Sequence, residues 1–478
     1  MESPTRSFVI LGAGGDLTAR LLLPGVAQYL ASARGLPVQL VGAGLDEMSP
    51  EAWKERVSAS FAASGASGDL VDAALESTVY VQTDVTDAAA LAALLEQCVG
   101  VPALYFALPP AVTIASCAAL EGVSLPDDTV FALEKPFGTD LESAKQLNAQ
   151  LAKLVPESRI HRVDHFLGKS TVLNLLGLRF ANRIFEPLWR SQHIERVEIV
   201  FDETLALEGR AGYYDKAGAL VDMIQSHLLL VLALATIEPP SSVYADDLRG
   251  AMAQALRATR VWDDDAVASS RRARYTAGTI DGRDLPAYET EDGVEPANET
   301  ETLAEIVVAI DNWRWAGVPF VIRSGKALDD MRKEIIVTFK EVPHLPYGFE
   351  GKAGPERLRI ALTPDRVELD ISINGEGDPF SLDSVSLATE FGAGDLGPYG
   401  EVLAGILSGD PTLSVRSDAV EECWRIVEPV LAAWRSGSVA LDDYAAGSKG
   451  PEVWNDGFAL APYRRSDADS QGDRRRQA

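Results

Sequence analysis

One ten-residue segment, 160–169, concentrates side chains that could do chemistry. It reads Ile-His-Arg-Val-Asp-His-Phe-Leu-Gly-Lys and so holds two histidines, an arginine, an aspartate and a lysine. His161 and His165 have the spacing of metal ligands on a helix, but Ile160 and Val163 favour a strand, where four residues span about 13 Å. Closely spaced lysine and histidine donors favour instead a cationic pocket for a phosphate. A salt-bridged surface strand is the alternative that needs no ligand.

A second candidate is His227, which lies in Gln225-Ser-His-Leu at the start of a strongly apolar stretch. A histidine that faces a carboxylate is a competent general base near neutral pH. A buried, hydrogen-bonded histidine would have a structural role only, and the spacing leaves both interpretations open. Three cations, Arg314, Arg323 and Lys326, lie in a stretch rich in aromatic residues and glycine. They could supply a second cation to an anionic substrate or form a packed domain corner.

A glycine-rich turn joins the first expected strand to the first expected helix. Glycines there let the backbone turn tightly and approach a pyrophosphate, for which the helix N-terminus supplies free N–H groups and a positive dipole. Because the turn follows the first strand of a βαβ unit, dinucleotide binding is favoured over an ordinary tight turn. The candidate coenzyme-binding residues are Gly12, Gly14, Gly15, Asp16 and Leu17.

The residues at the end of the second expected strand indicate which coenzyme is bound. An acidic residue at this place hydrogen-bonds the ribose hydroxyls of NAD, whereas an arginine suits the extra phosphate of NADP. The chain continues Val41-Gly-Ala-Gly-Leu-Asp-Glu and has no arginine or lysine before Lys54. Asp46 therefore indicates NAD, unless it only caps or solvates the loop.

Two hydropathy patterns divide the chain. Residues 7–180 alternate short apolar strands with helical stretches, which predicts parallel strands with crossover helices. After about residue 194 the strands alternate polar and apolar residues, which indicates a mostly antiparallel sheet. Longer helices are expected at about 141–154, 215–237, 243–258, 398–408 and 418–436.

Composition limits the class of protein. A length of 478 residues predicts two or three domains. Lys and Arg total 43 against 71 Asp and Glu, a net charge of −28, which argues against nucleic-acid or anionic-membrane partners. A small anionic substrate remains compatible, because a few cations placed in one site suffice.

Cysteine usage and apolar runs predict a cytoplasmic protein. Cys98, Cys117 and Cys423 are far apart and form neither a disulfide framework nor a metal-binding pair. The N-terminal apolar run is too short for a signal peptide. The longest apolar run, 228–237, is too short to span a bilayer and indicates a buried helix.

Several long motifs follow one another along the chain: GAGGDLTARLLLP (12–24), YFALPP (105–110), LEKPFGTDLESAKQLN (133–148), RVDHFLGK (162–169), RFANRIFEPLW (179–189), EGRAGYYDKAGALVDMIQSH (208–227), TETL (300–303), IDNWRWAGVPFVIRSGK (310–326) and GSKGP (447–451). With these motifs, the chain resembles the glucose-6-phosphate dehydrogenase family from about residue 7 to 452. The resemblance implies an α/β Rossmann dinucleotide-binding domain (1–170), then a larger α+β domain with a mostly antiparallel sheet (171–463), in a homodimer or homotetramer. The polar end, 464–478, is expected to be a disordered tail.

The resemblance also implies an activity and roles for single residues. The activity is oxidation of glucose 6-phosphate at C1 to a lactone, with hydride transfer to a nicotinamide coenzyme. His227 matches the general base and Asp164 its partner carboxylate; no metal is implied. The other matched positions are His165 and Lys169 for the phosphate, Lys326 as a substrate lysine, Glu203 and Asp222 as sugar-hydroxyl acceptors, and Lys135 with Pro136, a proline that can be cis, at the corner between coenzyme and substrate.

Several positions depart from the family pattern. Leu21, Phe166, Val221 and Ser226 stand where the family usually has Lys, Tyr, Arg and Asn. These changes weaken the expected binding of a 6-phosphate and motivate two alternative functions. One is a paralogue that oxidises another hexose or hexose phosphate, and the other is a catalytically weak homologue that acts as a binding or regulatory protein. The retained acid, base and two lysines favour an active enzyme.

The coenzyme-binding positions also depart from the family pattern, and these departures all favour the same coenzyme. NADP-using members have Thr or Ser at the third motif position and Arg at the end of strand two, whereas this chain has Gly14 and Leu45, followed by Asp46. Loss of a cation and gain of an acid both disfavour a 2′-phosphate. The sequence therefore predicts a preference for NAD over NADP.

Overall fold

The computed structural model describes residues 6–351, 354–390, 392 and 394–463, so the expected tail lies outside the described residues. The chain forms two compact units. The first contains the described residues within 1–173, 238–253 and 393–424, and the second those within 174–237, 254–392 and 425–478. The domain prediction placed the segments 238–253 and 393–424 with the second domain, whereas here they belong to the first unit.

The strands of the described residues are β1 Arg6–Leu11, β2 Val38–Gly44, β3 Val79–Gln82, β4 Val101–Phe106, β5 Val130–Glu134, β6 Ile160–Val163, β7 Ile194–Asp202, β8 Thr259–Val261, β9 Ser270–Thr276, β10 Gly278–Ile280, β11 Arg283–Leu285, β12 Leu303–Ile310, β13 Phe320–Gly325, β14 Lys333–Phe339, β15 Arg357–Leu362, β16 Asp365–Asn374, β17 Leu382–Glu390, β18 Ser414–Val415 and β19 Leu441–Ala445.

The α-helices are α1 Leu23–Ala31, α2 Pro50–Ala63, α3 Asp69–Ser77, α4 Ala88–Leu95, α5 Pro110–Leu120, α6 Leu141–Leu154, α7 Ser170–Phe180, α8 Phe185–Leu188, α9 Ala211–Ala219, α10 Leu229–Thr236, α11 Ala245–Arg257, α12 Pro398–Ser408 and α13 Ser417–Arg435. Two π-helices cover Thr18–Leu22 and Leu220–Leu228 of the described chain. Short 3-10 helices cover Glu157–Arg159, His165–Gly168, Trp262–Asp264, Tyr288–Thr290, Pro296–Asn298 and Glu452–Trp454.

The first unit is built on a parallel sheet. Within the described residues, seven strands run in the order β18-β6-β5-β4-β1-β2-β3, and every pair is parallel except β6 with β18. The order β6-β5-β4-β1-β2-β3 is that of a dinucleotide-binding fold, whose ligand crevice lies where the order reverses, at β1 and β4. Strands buried on both faces read as continuous apolar runs, as in Phe8–Leu11. The predicted Rossmann domain is confirmed.

The second unit is built on a mostly antiparallel sheet, as predicted. In the described chain it has ten strands in the order β17-β16-β15-β14-β7-β13-β12-β9-β19, with β8 paired to β12. The parallel pairs among them are β7 with β13 and β9 with β19. The sequence analysis missed β12, since all of its residues are buried and it therefore lacks alternation.

A long apolar helical segment, Ala211–Thr236, forms the core of the second unit. It is long and apolar enough to cross a membrane by length and composition, but 83% of its most apolar window is buried inside the protein, as in a core helix. It is not one regular helix. Gly218 has φ of 65° and interrupts α9, and the π-helix Leu220–Leu228 separates α9 from α10.

Candidate active site

The glycine-rich turn lies at the carboxyl end of β1, beside β4. Gly12 has φ of 89°, and a Cβ atom there would lie 2.3 Å from the carbonyl oxygen of Ala107. The N–H of Gly15 donates to the carbonyl of Gly12 at 3.0 Å, and the π-helix Thr18–Leu22 follows. Only glycine fits at position 12. The turn leads into a helix N-terminus at the point where the strand order of the sheet reverses. This arrangement fits the pyrophosphate of a dinucleotide.

The other two residues predicted at this turn lie on opposite sides of the helix start. Asp16 is exposed and pairs with Arg20 one turn later, at 3.2 Å. Leu17 is half-buried and packs against the core of the first unit. Leu21, where the family usually has lysine, is an exposed residue of the same π-helix. The structure therefore places no cation at position 21, although Arg20 lies beside it.

Gly14 and Asp46 are in close contact. A Cβ atom on Gly14 would lie 1.8 Å from Oδ2 of Asp46, which is exposed at the end of β2. A serine or threonine at position 14 would therefore force the Asp46 carboxylate to move. The sequence analysis missed a cation beside this contact, because Arg56 comes from the middle of α2. One guanidinium nitrogen of Arg56 donates to the carbonyls of Gly14 at 2.8 Å and of Gly15 at 2.7 Å.

Lys135 follows a half-buried acid, Glu134, at the end of β5. The Lys135–Pro136 peptide bond is cis, the isomer that the resemblance allowed. The Glu134 carboxylate accepts hydrogen bonds from the hydroxyls of Tyr105 and Tyr399. Burial raises the pKa of Glu134 to about 7, against the hydrogen bonds from the two tyrosines and the charge of Lys135. Sequence analysis missed this acid because its partners come from distant elements.

The segment 164–169 forms a strand end followed by a 3-10 helix. Asp164 is fully buried, and its Oδ1 accepts the N–H of Phe166 at 3.0 Å, so that it caps this helix. His165 is half-buried and stacks on the ring of Tyr399, with centroids 5.4 Å apart. The ammonium of Lys169 lies 4.4 Å from the centroid of the buried Phe166 ring. The structure thus fixes an acid, a half-buried histidine and a half-buried lysine on one short segment, and the last two are donors that suit a phosphate.

The other histidine of this segment has a structural role. Its Nδ1 lies 2.9 Å from Oγ of Ser414, and burial lowers the pKa of His161 to about 3. His161 is thus neutral and faces β18, whereas His165 faces Tyr399. No group of three or more metal-ligating side chains occurs in the part of the chain that the structure describes. Arg162 is also buried and pairs with Glu157 at 2.9 Å, so the segment is not a surface strand.

His227 lies in the second unit, on the π-helix Leu220–Leu228, and is buried. Asp222 is buried on the same helix. In a π-helix each N–H bonds to the carbonyl five residues earlier, as the Leu229 N–H does to Ile224. Residues five apart, such as Asp222 and His227, therefore lie on neighbouring turns of one face. Asp164 belongs to the first unit and His227 to the second, so their partnership stays a prediction.

Glu203 lies between two lysines after the end of β7. Its Oε2 accepts from Lys326 at 2.9 Å and its Oε1 from Lys333 at 3.1 Å. Burial alone would raise the pKa of Glu203, but the two ammonium groups outweigh it and hold this pKa below its ordinary value. The structure therefore brings together the predicted Glu203 and Lys326. Lys333 was missed, because only the β7–β14 pairing places it there.

The two arginines grouped with Lys326 in the sequence have other partners. Arg314 is buried, pairs with Glu186 at 2.8 Å and donates to the carbonyl of Trp189. Arg323 binds both carboxylate oxygens of Asp202 at 3.0 Å. Arg314 thus forms the packed corner that was the alternative for this cluster, and Lys326 alone of the three joins Glu203.

Comparisons with known proteins show which family the sequence matches. Residues 9–174 match the family model "Glucose-6-phosphate dehydrogenase, NAD binding domain", and residues 176–461 match "Glucose-6-phosphate dehydrogenase, C-terminal domain". Glucose-6-phosphate 1-dehydrogenase of Treponema pallidum is 37% identical over 94% of this chain and 92% of its own, and that of Gluconobacter oxydans is 38% identical over 93% and 94%.

Solved structures of similar fold lead to the same family. The crystal structure of glucose-6-phosphate 1-dehydrogenase from Mycobacterium avium superimposes with a TM-score of 0.83, at 32% identity, over 97% of this chain and 99% of that one. A glucose-6-phosphate dehydrogenase in complex with its substrate glucose 6-phosphate gives 0.86, at 27% identity, over 97% and 98%. The chain belongs to the glucose-6-phosphate dehydrogenase family of NAD(P)-dependent oxidoreductases.

Proposed function

We propose that this protein oxidises glucose 6-phosphate at C1 to 6-phosphogluconolactone and transfers the hydride to NAD in preference to NADP. The observation that carries the reaction is the segment 164–169, where the buried acid Asp164 lies on the same short turn as His165 and Lys169. An anionic sugar phosphate held by His165 and Lys169 would bring its ring close to Asp164. The relatives named above, whose printed activity is glucose-6-phosphate 1-dehydrogenase, support the same substrate.

The proposed chemistry assigns one task to each residue. His227 takes the proton of the C1 hydroxyl, and Asp164 orients the imidazole and stabilises the imidazolium that forms. Glu203 is held ionised by two lysines, so it accepts a hydrogen bond from a sugar hydroxyl. Lys326 donates to the sugar from the same cluster. The nicotinamide coenzyme, held at the glycine turn, supplies the hydride acceptor.

The preference for NAD is supported by the contact between Gly14 and Asp46. Because Gly14 has no side chain, the Asp46 carboxylate occupies the space that a Cβ atom would fill. A carboxylate at the end of the second strand accepts hydrogen bonds from ribose hydroxyls and repels a 2′-phosphate. Arg56 is the nearby cation that a 2′-phosphate would attract, and one of its guanidinium nitrogens is held by the carbonyls of Gly14 and Gly15.

The test is the absorbance of reduced coenzyme on mixing the purified protein with glucose 6-phosphate and either NAD or NADP. Turnover with a higher kcat/KM for NAD is expected. Turnover with at least a 10-fold preference for NADP would keep the reaction and refute the assignment to Asp46. No turnover with either coenzyme, from a folded sample that binds NAD, would refute the proposed reaction.

A second candidate function is oxidation of another hexose or hexose phosphate. Phe166 favours it, because its buried ring lies under Lys169 where the family usually has a tyrosine hydroxyl. The exposed Leu21 likewise replaces a usual lysine. A panel of hexoses and hexose phosphates at equal concentration decides between them. The first proposal requires glucose 6-phosphate to have the highest kcat/KM.

Two further parts of the proposal concern assembly and location. We propose a homodimer or homotetramer, which light scattering on a size-exclusion column would measure directly. We also propose a cytoplasmic location, consistent with free thiols at Cys98, Cys117 and Cys423. Fractionation of the source cells would test it.

A further inference from the structure

A buried acid of the second unit, Glu301, lies against the start of the π-helix that carries His227. Its side chain is 7% exposed and comes from the segment that precedes β12. Oε1 of Glu301 accepts the N–H of Leu220, the first residue of the π-helix, at 2.9 Å. The backbone carbonyl of Glu301 accepts the N–H of Ala219 at 3.2 Å. Two successive N–H groups at this helix start are therefore bound by one residue.

Gly218 makes room for this carboxylate. A Cβ atom on Gly218 would lie 2.2 Å from Oε1 of Glu301, and the φ of Gly218 is 65°. The chain thus breaks the preceding helix at a glycine, and the acid enters the gap that the missing side chain leaves. An anion at this end also interacts favourably with the positive end of the helix dipole.

The geometry points to Glu301 as a positioning residue that fixes the start of the π-helix and so the placement of Asp222 and His227. A π-helix is rare and is found frequently at functional sites. Here it brings residues 222 and 227 onto one face, which regular α-helical spacing would not do. The first N–H groups of such a helix need partners from outside it, and Glu301 supplies them from a buried position.

Other features fit a placed carboxylate rather than an incidental one. Burial raises the pKa of Glu301 to about 7, and the N–H donors and Arg272 act in the opposite direction. Ionising a carboxyl group in the protein interior costs free energy, and buried carboxylates are therefore usually paired or hydrogen-bonded. The ring of Tyr214, on the helix that Gly218 interrupts, lies 5.3 Å from the ammonium of Lys326. The helix that carries Tyr214 therefore leads into the start of the π-helix and also contacts Lys326 of the proposed substrate site.

This inference rests on the proposed function, because it assumes that His227 is the base. The experiment compares Glu301→Ala and Glu301→Gln with the matched control Glu305→Ala. Glu305 is a buried acid of β12 whose carboxylate pairs with Arg271 at 2.6 Å and lies 3.8 Å from Arg323. Steady-state kcat, the KM values for glucose 6-phosphate and NAD, and thermal stability are measured for each variant.

Glu301→Ala is expected to lower kcat on the order of 10- to 100-fold, as a displaced catalytic group does, with the KM for NAD unchanged. Glu301→Gln keeps the acceptor oxygen and should restore kcat to within about 3-fold of wild type. Glu305→Ala should lose stability and keep kcat. Wild-type kcat in folded Glu301→Ala, or an equal loss in Glu305→Ala, would overturn the inference. If Glu301→Ala does not fold, Glu301→Asp, which retracts the carboxylate by one methylene, must itself lower kcat.

A wild-type protein without turnover would refute the proposed function instead, so the two failures are distinguishable.

Discussion

Replacing Asp46 by asparagine tests the coenzyme assignment at the level of a single charge. Asparagine keeps the shape that fits beside Gly14 and removes the negative charge. The carboxylate is exposed, so its interaction with another charge takes place in high dielectric and is about 1 kcal/mol per charge pair at 4 Å. A 2′-phosphate carries nearly two negative charges at neutral pH. The expected gain for NADP is therefore about 2 kcal/mol, or roughly 30-fold in kcat/KM.

The same substitution should weaken use of NAD. A hydrogen bond from a ribose hydroxyl to a charged acceptor contributes about 1.5–3 kcal/mol, and a neutral amide oxygen retains part of it. The assay is kcat/KM for NAD and for NADP at fixed saturating glucose 6-phosphate, in wild type and Asp46→Asn. The ratio of the two values should move toward NADP by about 100-fold in total.

The neighbouring exposed acid Glu47 provides the matched control. Glu47→Gln removes one charge from the same loop without touching the Gly14 contact, so it should change the ratio by less than about 3-fold, as expected for a screened surface charge. An unchanged ratio in Asp46→Asn, or an equal change in Glu47→Gln, would refute the reasoning from the Gly14 contact. Raising the salt concentration should shrink the effect in either variant.

Three further predictions concern the second unit. His227→Ala should lower kcat by about 10²- to 10⁴-fold, the usual contribution of a general base, with NAD binding by calorimetry unchanged; a loss of less than about 10-fold would contradict its role as base. Lys333→Met keeps the packing on the Phe201 ring but removes one ion pair of Glu203; the KM for glucose 6-phosphate should rise about 10-fold, and no rise would remove Lys333 from the site. Glu301→Gln should alter the pH dependence of unfolding. The pKa of Glu301 is raised in the fold from 4.5 to about 7, so its stabilising contribution is complete below pH 4.5 and is lost as the pH rises to about 7, a loss of about 3 kcal/mol by linkage. Arg272, Tyr214 and Tyr288 are the charged and titratable groups that interact with it. Chemical denaturation at pH 5 and pH 8 should therefore show a smaller difference in free energy of unfolding for Glu301→Gln than for wild type, and an equal difference would show that Glu301 does not titrate in this range.

Much of the first unit could be predicted from the sequence because each signal there is local. The apolar runs of β1, β2, β4 and β5 and the glycine turn are contiguous in the chain. The helix Leu141–Leu154 begins directly after a good capping residue, since Asp140 accepts the N–H of Ser143 at 2.7 Å. Asp46 could be proposed as a coenzyme-binding residue because it follows the end of β2, which is also a local feature of the chain.

The missed elements and residues depend on tertiary structure. Strand β12 is buried on both faces, so its pattern does not alternate. The π-helix Leu220–Leu228 lies inside a stretch whose apolar residues fit an ordinary α-helix of 3.6 residues per turn. The pattern of apolar residues does not reveal the wider turns of a π-helix. Arg56, Glu134 and Lys333 each reach their partners across strands or helices distant in the chain. Side chains of this kind have no local signal.

The two π-helices support the location of the site without reference to the family. In the described part of the chain they occur at Thr18–Leu22, directly after the glycine turn, and at Leu220–Leu228, which carries His227. A π-helix is less favourable than an α-helix, persists where the surrounding structure imposes it, and occurs frequently at functional sites. One follows the residues that fit a pyrophosphate, and the other presents an acid and a histidine on one face. Because backbone geometry and side-chain chemistry single out the same two places, the proposals for a dinucleotide turn and for His227 as base rest on more than motif similarity.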